Sequence, residues 1–86
     1  MYHILIVDDE KIERNGIKLL LKMAGIELEI SEACNGKEAL SFLEKHQVDI
    51  LLTDMKMPNM DGMELLKRVC PEYPQMKKII FSGYSE

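Results

Sequence analysis

The chain has 86 residues, of which 47% are hydrophobic and 30% charged, and its net charge is −4 at pH 7. This is the size and composition of one small globular domain, not of a disordered or fibrous chain. Its apolar runs are too short for a membrane span, and the first acidic pair comes too early for a signal peptide. We therefore expect a cytoplasmic protein. No basic run is present, so we also expect that these 86 residues make no direct contact with nucleic acid.

The first apolar run predicts a buried strand followed by an amphipathic helix. Residues 3–7 (HILIV) hardly alternate with polar residues, which is typical of a strand covered on both faces. Asp8 or Asp9 is then expected to cap a helix, and Gly25 to end it. The apolar face of this helix is predicted from residues at helical spacing: Ile12, Ile17, Leu20, Leu21 and Ala24.

The middle of the chain predicts two further strands and a helix between them. Residues 26–30 (IELEI) alternate strictly, which indicates a strand at the edge of the sheet with one face in water. Residues 37–46 carry apolar side chains at helical spacing. Residues 48–53 (VDILLT) form another apolar run, and we expect a central strand there.

The last third predicts a loop, a helix and a final strand. Asp61 is expected to cap the third helix, which Pro71 ends, and residues 77–82 (KKIIFS) predict the last strand. The loop before Asp61 and the turn after it are rich in methionine, which either fills gaps in the packing or forms a partner surface. The order β-α-β-α-β-α-β predicts a parallel α/β sheet with right-handed crossovers.

Acidic and hydroxyl side chains follow three of the predicted strands. Asp8 and Asp9 come after the first strand, Asp54 after the third, and Ser82 closes the fourth. The carboxyl ends of parallel strands meet at one edge of a sheet, so these groups are expected to lie together. Clustered carboxylates repel one another unless a cation lies among them, and an all-oxygen site suits Mg²⁺. The pattern therefore predicts a metal-assisted phosphate site centred on Asp54.

These motifs together resemble the receiver domain of two-component response regulators. The resemblance rests on the acidic pair, on the pattern D-x-K-x-P-x-x-D-G from Asp54 to Gly62, and on the pair Ser82-Gly83, and it covers residues 1–86. It implies a flavodoxin-like, three-layer fold with strand order 2-1-3-4. It also implies that a further helix, a fifth strand carrying a lysine and a final helix are lacking, so we expect a truncated receiver.

The resemblance also implies a role for each matching residue. Asp54 corresponds to the phosphoacceptor that takes a phosphoryl group from a phosphohistidine on a sensor histidine kinase. Asp9 corresponds to a direct Mg²⁺ ligand, Asp8 to a residue that acts through metal-bound water, and the backbone carbonyl of Lys56 to a further ligand. Ser82 corresponds to the hydroxyl that senses the bound phosphoryl group.

The implied function is a signalling switch in a phosphorelay, not an enzyme in its own right. The ending FSGYSE resembles receivers that precede an arabinose-regulator-type helix-turn-helix domain, which implies control of transcription. One alternative is an unphosphorylated protein-interaction scaffold. A second is a Mg²⁺-dependent phosphatase with an aspartate nucleophile, but that class needs D-x-D after the first strand, where this chain has Asp8-Asp9-Glu10.

The truncation predicts self-association. Without a fifth strand, residues 77–82 would form a bare edge, and an unpaired apolar edge is a template for pairing with another chain. Part of the sheet would also be uncovered, exposing Ile79, Ile80 or Phe81.

Overall fold

The computed structural model describes residues 1–81, in which four strands and three helices alternate along the chain. The strands are β1 (Tyr2–Val7), β2 (Leu28–Ala33), β3 (Ile50–Asp54) and β4 (Lys77–Phe81). The helices are α1 (Lys11–Met23), α2 (Gly36–Lys45) and α3 (Gly62–Val69). All pairings are parallel and the strand order is β2-β1-β3-β4, which confirms the predicted flavodoxin-like sheet.

The two central strands explain the continuous apolar runs in the sequence. β1 pairs with β3 in a register that sets Leu5 beside Leu51 and Val7 beside Thr53, and all four side chains are fully buried. Both faces of a covered strand are buried, so apolar residues do not alternate with polar ones along it. β2 forms one edge of the sheet, as its alternating sequence predicted.

The right-handed crossovers divide the helices between the two faces of the sheet. The chain passes from β1 to β2 in one direction, and then from β2 to β3 and β4 in the other. α1 therefore covers one face, and α2 and α3 cover the opposite face. The main hydrophobic core lies under α2 and α3 and comprises the side chains of Leu5, Val7, Ala33, Ala39, Leu43, Leu51, Met57, Leu65, Val69 and Met76.

The start and the burial of α1 differ from the prediction. Its N-cap is Glu10, with no side-chain capping bond, so neither Asp8 nor Asp9 caps the helix. The Asp8 carboxylate instead accepts a hydrogen bond from the Glu10 backbone N–H at 2.9 Å, which turns the chain from β1 into the helix. No α1 residue is fully buried, and Leu20 of the expected apolar face is 67% exposed. Gly25 has φ +75° and ends the helix as predicted.

β2 begins two residues later than its alternating sequence indicated, and it continues to Ala33. The register gives the reason. Tyr2, the first residue of β1, pairs with Leu28, so Ile26 and Glu27 precede the paired segment. Ile26 accordingly remains exposed.

The longest helix among residues 1–81 is α1, with 13 residues. Within this range no helix combines the length and the apolar character needed to cross a bilayer.

Candidate functional site

The pairing of β1 with β3 brings the acidic residues together. Val7 ends β1 and lies beside Thr53, so Asp8 and Asp54 follow at the same edge of the sheet. Asp54 is the last residue of β3, and its backbone is held there because Met55 N–H donates to the Phe81 carbonyl at 2.8 Å. These two carboxylates therefore project from neighbouring strand ends.

Three carboxylates converge at this edge. Oxygen atoms of Asp8, Glu13 and Asp54 lie within 4.8 Å of one another. Asp8 is fully buried, Asp54 is 6% exposed, and Glu13 is half-buried. Like charges at such distances repel strongly when they are partly buried, because the local dielectric constant is low. The cluster therefore needs a proton or a cation to offset its charge.

One carboxylate oxygen of Asp8 is unsatisfied within residues 1–81. Its Oδ1 accepts the bond from Glu10 N–H, but its Oδ2 is buried and has no hydrogen-bond partner among residues 1–81. A buried, unsatisfied carboxylate oxygen is costly. A hard cation in the cluster, or a water molecule bound to it, would satisfy this oxygen, and three carboxylates form an all-oxygen ligand set of the kind that Mg²⁺ takes. The residues present therefore fit a divalent metal.

Glu13 was missed by the sequence analysis. It lies in the first turn of α1 and reaches the strand ends from the helix. The hydrogen bond that protonated Glu13 can donate to Asp8, then burial and the negative charges of Asp8, Asp54 and Glu10, raise the pKa of Glu13 from its ordinary value of 4.5 to about 7. Glu13 lies within a helix, so the residues that follow strands did not indicate it.

The other predicted site residues lie in different positions. Asp9 is exposed and does not join the carboxylate cluster. Lys56 is exposed, and its backbone N–H donates to Asp54 Oδ1 at 3.4 Å, which places it in the turn directly after the strand. Ser82 lies outside the described residues.

The loop from β3 to α3 is shaped around Asp54. Gly62 N–H donates to the Met55 carbonyl at 2.8 Å, and a Cβ at Gly62 would collide with the backbone oxygen of Asp54. Asp61 caps α3, as predicted, by accepting from Glu64 N–H at 2.9 Å. Asn59 has φ 71°, a left-handed conformation that asparagine tolerates better than most residues.

The methionines of this region divide between packing and exposure. Met57 is buried in the core, and Met60 packs against the core and lies over Gly36. Met55 and Met63 are exposed. Packing therefore accounts for two of the four methionines.

Comparison with known proteins identifies relatives along the whole chain. The response regulator receiver domain family matches residues 4–86. The transcriptional regulatory proteins YesN and YdfI of Bacillus subtilis are 39% and 38% identical to the chain, and the alignments cover all of it. The chain spans only 24% of YesN and 40% of YdfI. A protein-glutamate methylesterase of Hahella chejuensis is 35% identical over 95% of the chain and 23% of its own length.

Two crystal structures show the same fold. A two-component transcriptional regulator AraC from Clostridium phytofermentans is 40% identical, has a TM-score of 0.87, and aligns over 99% of this chain and 69% of its own. The response regulator TrrA of Thermotoga maritima, crystallised with Mg²⁺ and beryllium fluoride, is 34% identical with a TM-score of 0.88. That alignment covers 99% of this chain and 72% of TrrA.

Proposed function

Because this chain belongs to the response regulator receiver domain family, we propose that Asp54 accepts a phosphoryl group from a sensor histidine kinase in a Mg²⁺-dependent reaction. The observation that carries the proposal is the juxtaposition of Asp54 with Asp8 at the ends of the two central strands, their oxygens within 4.8 Å. Asp54 is 6% exposed, whereas Asp8 is fully buried.

The proposed reaction is a nucleophilic displacement at phosphorus. A carboxylate oxygen of Asp54 attacks the phosphorus of the phosphohistidine, and an O–P bond forms while the N–P bond breaks. The electron pair of the broken bond stays on the histidine nitrogen of the kinase. The product is an aspartyl phosphate whose added negative charge lies beside the carboxylate cluster.

The ligand assignment follows the family resemblance. Asp9 and Asp54 are proposed as direct metal ligands, Asp8 as a ligand through water, and Lys56 as a ligand through its backbone carbonyl. Bound Mg²⁺ supplies positive charge that offsets the charge on the phosphoryl oxygens during transfer. The Ser82 hydroxyl is proposed to bind the transferred phosphoryl group. The acidic cluster and the Mg²⁺ complex of TrrA support the choice of metal.

The proposed biological role is a cytoplasmic phosphorelay switch that controls transcription. Most of the curated relatives named above are transcriptional regulators, but the chain spans less than half of each. We therefore assign DNA contact to a part of the regulator other than this domain. In this role the domain takes part in its own phosphorylation and does not turn over an external substrate.

The test is labelling with acetyl phosphate in the presence of Mg²⁺, followed by intact mass. We expect the wild-type chain to gain one phosphoryl group, and Asp54→Asn to gain none. Asp61→Asn is the matched control, because it removes a carboxylate from the same loop while asparagine still caps α3. Labelling of Asp54→Asn at the wild-type level would refute the assignment, and an unlabelled wild type would favour the scaffold alternative.

A further inference from the structure

We infer that Glu13 is an additional oxygen ligand of the divalent cation, supplied by helix α1 to the pocket of Asp8 and Asp54. This inference rests on the Mg²⁺ dependence proposed above. It adds to the ligands that the family resemblance implies a carboxylate from a different element, which the strand-end motifs do not include.

The distances between the three carboxylates suit one shared ion. Two oxygens bound to the same Mg²⁺ lie up to about 4.2 Å apart, and two bound to the larger Ca²⁺ up to about 5 Å. Oxygens of Asp8, Glu13 and Asp54 are within 4.8 Å of one another. A cation among them could therefore bind Glu13 and Asp54 directly, and Asp8 through a bound water, after small side-chain adjustments.

An independent observation is that one buried oxygen of the pocket is unsatisfied among the described residues. Asp8 is fully buried, and its Oδ2 has no hydrogen-bond partner in the part of the chain that the structure describes. The Glu13 carboxylate beside that oxygen raises the free energy of the metal-free pocket further. A divalent cation between the two carboxylates attracts both of them, so their arrangement favours the metal-bound state.

The backbone that carries Glu13 is fixed by hydrogen bonds of the residues on either side of it in the sequence. The backbone N–H of Glu10 donates to Asp8 Oδ1 at 2.9 Å. On the other side, Arg14 Nη1 donates to the Asp8 carbonyl at 2.7 Å, and its Nε donates to Glu32 at 2.8 Å. These bonds attach the first turn of α1 to the end of β1 and to β2. The Glu13 carboxylate therefore reaches the pocket from a fixed backbone, which reduces the entropy lost when it binds a cation.

The experiment measures Mg²⁺ affinity by calorimetric titration of the complete 86-residue chain and its variants. Loss of a group that orients or ligates a metal weakens binding by about 10- to 100-fold, and we expect Glu13→Gln to weaken Mg²⁺ binding by at least about tenfold. Glu10→Gln is the matched control, because Glu10 is exposed, lies outside the cluster and makes no side-chain cap bond. Its affinity should stay within about twofold of wild type.

Two further measurements distinguish ligation from a general effect of charge. Glu13→Asp keeps the charge but shortens the side chain, so it should also lose affinity if the carboxylate must reach the ion. Mn²⁺ should broaden the side-chain carboxyl resonance of Glu13 in NMR spectra much more than that of Glu10. Thermal unfolding without metal verifies folding, and Glu13→Gln should be at least as stable as wild type because its amide can donate to Asp8 Oδ2.

The outcomes separate this inference from the proposed function. If the wild type binds Mg²⁺ and either Glu13→Gln or Glu13→Asp binds it equally well, the ligand role of Glu13 is overturned while Asp54 keeps its role. If the wild type binds no Mg²⁺, or Asp54→Asn binds it unchanged, the proposed metal site itself fails.

Discussion

Gly62 allows the first turn of α3 to approach the strand that carries Asp54. A Cβ at this position would meet the Asp54 carbonyl oxygen, and it would lie 2.9 Å from Ile80 Cδ1 and 3.0 Å from Met55 Cα. Two of these three atoms belong to the backbone and cannot rotate away. An added methyl group would therefore displace α3 or the end of β3.

We predict that Gly62→Ala lowers the free energy of unfolding by about 1–3 kcal/mol, the usual cost of overpacking. Gly16→Ala is the matched control, since Gly16 lies inside α1 with no atom within 4 Å of an added Cβ. It should raise stability by about 0.5–1 kcal/mol, because alanine is the better helix former. Urea denaturation of both variants is the measurement, and equal effects would contradict this view of Gly62.

At the residue level, the sequence was informative where a position follows from strand order. Asp8, Asp9 and Asp54 were predicted to meet because they follow central strands. Asp8 and Asp54 do, whereas Asp9 is exposed and lies outside the cluster. Glu13 could not be found in this way. Its approach to the strand ends depends on where α1 begins and how it is rotated, and the cap was predicted at Asp8 or Asp9 whereas the helix begins after Glu10.

At the level of elements, polar contacts help to attach α1 to the sheet. It has no fully buried residue. Arg14 and Lys18 both pair with Glu32 on β2, at 2.8 and 2.7 Å, and Arg14 also donates to the Asp8 carbonyl. Amphipathic spacing predicted the helix correctly, but burial of its apolar face depends on what covers it, which the spacing does not specify.

We predict that Glu32→Gln lowers the free energy of unfolding by less than about 1 kcal/mol at pH 7, because the ion pairs are partly exposed. Hydrogen bonds from Lys18 and then Arg14 lower the pKa of Glu32 below its ordinary 4.5. Its contribution to stability is therefore present above pH 4.5 and is lost as the pH falls through the lower pKa of the folded state.

Urea denaturation at pH 7 and at pH 3, in low and high salt, measures this effect. Glu29→Gln serves as the control, because Glu29 is an exposed carboxylate on the same strand. We expect the difference between Glu32→Gln and wild type to shrink in acid and in high salt. A difference that persists unchanged in both conditions would show that the ion pairs are not its source.

At the level of the whole molecule, the two faces of the sheet are unequally covered. The main core lies under α2 and α3. On the other face, the partial cover by α1 leaves an apolar groove lined by Gly16, Ile17, Leu19, Leu20 and Phe81, with Glu13 at its polar end. Ile79, on edge strand β4, is 50% exposed.

We predict that the 86-residue chain self-associates through this edge or this face. Sedimentation velocity at micromolar concentrations should show a dimer or a larger species. Ile79→Lys should reduce association if strands pair edge to edge, and Leu19→Lys if the α1 face is buried between copies. A folded monomer at every concentration would rule out the prediction.

The acidic pocket is built from residues that are far apart in the sequence, and this determines when it forms during synthesis. Asp8 and Glu13 lie near the amino terminus, but Asp54 reaches them only through the pairing of β1 with β3. During synthesis from the amino terminus, β2 and α2 leave the ribosome before β3 does. The nascent chain therefore carries the first acids for some time without the residue that completes the pocket, and we expect affinity for a divalent cation to appear only once the central strands have paired.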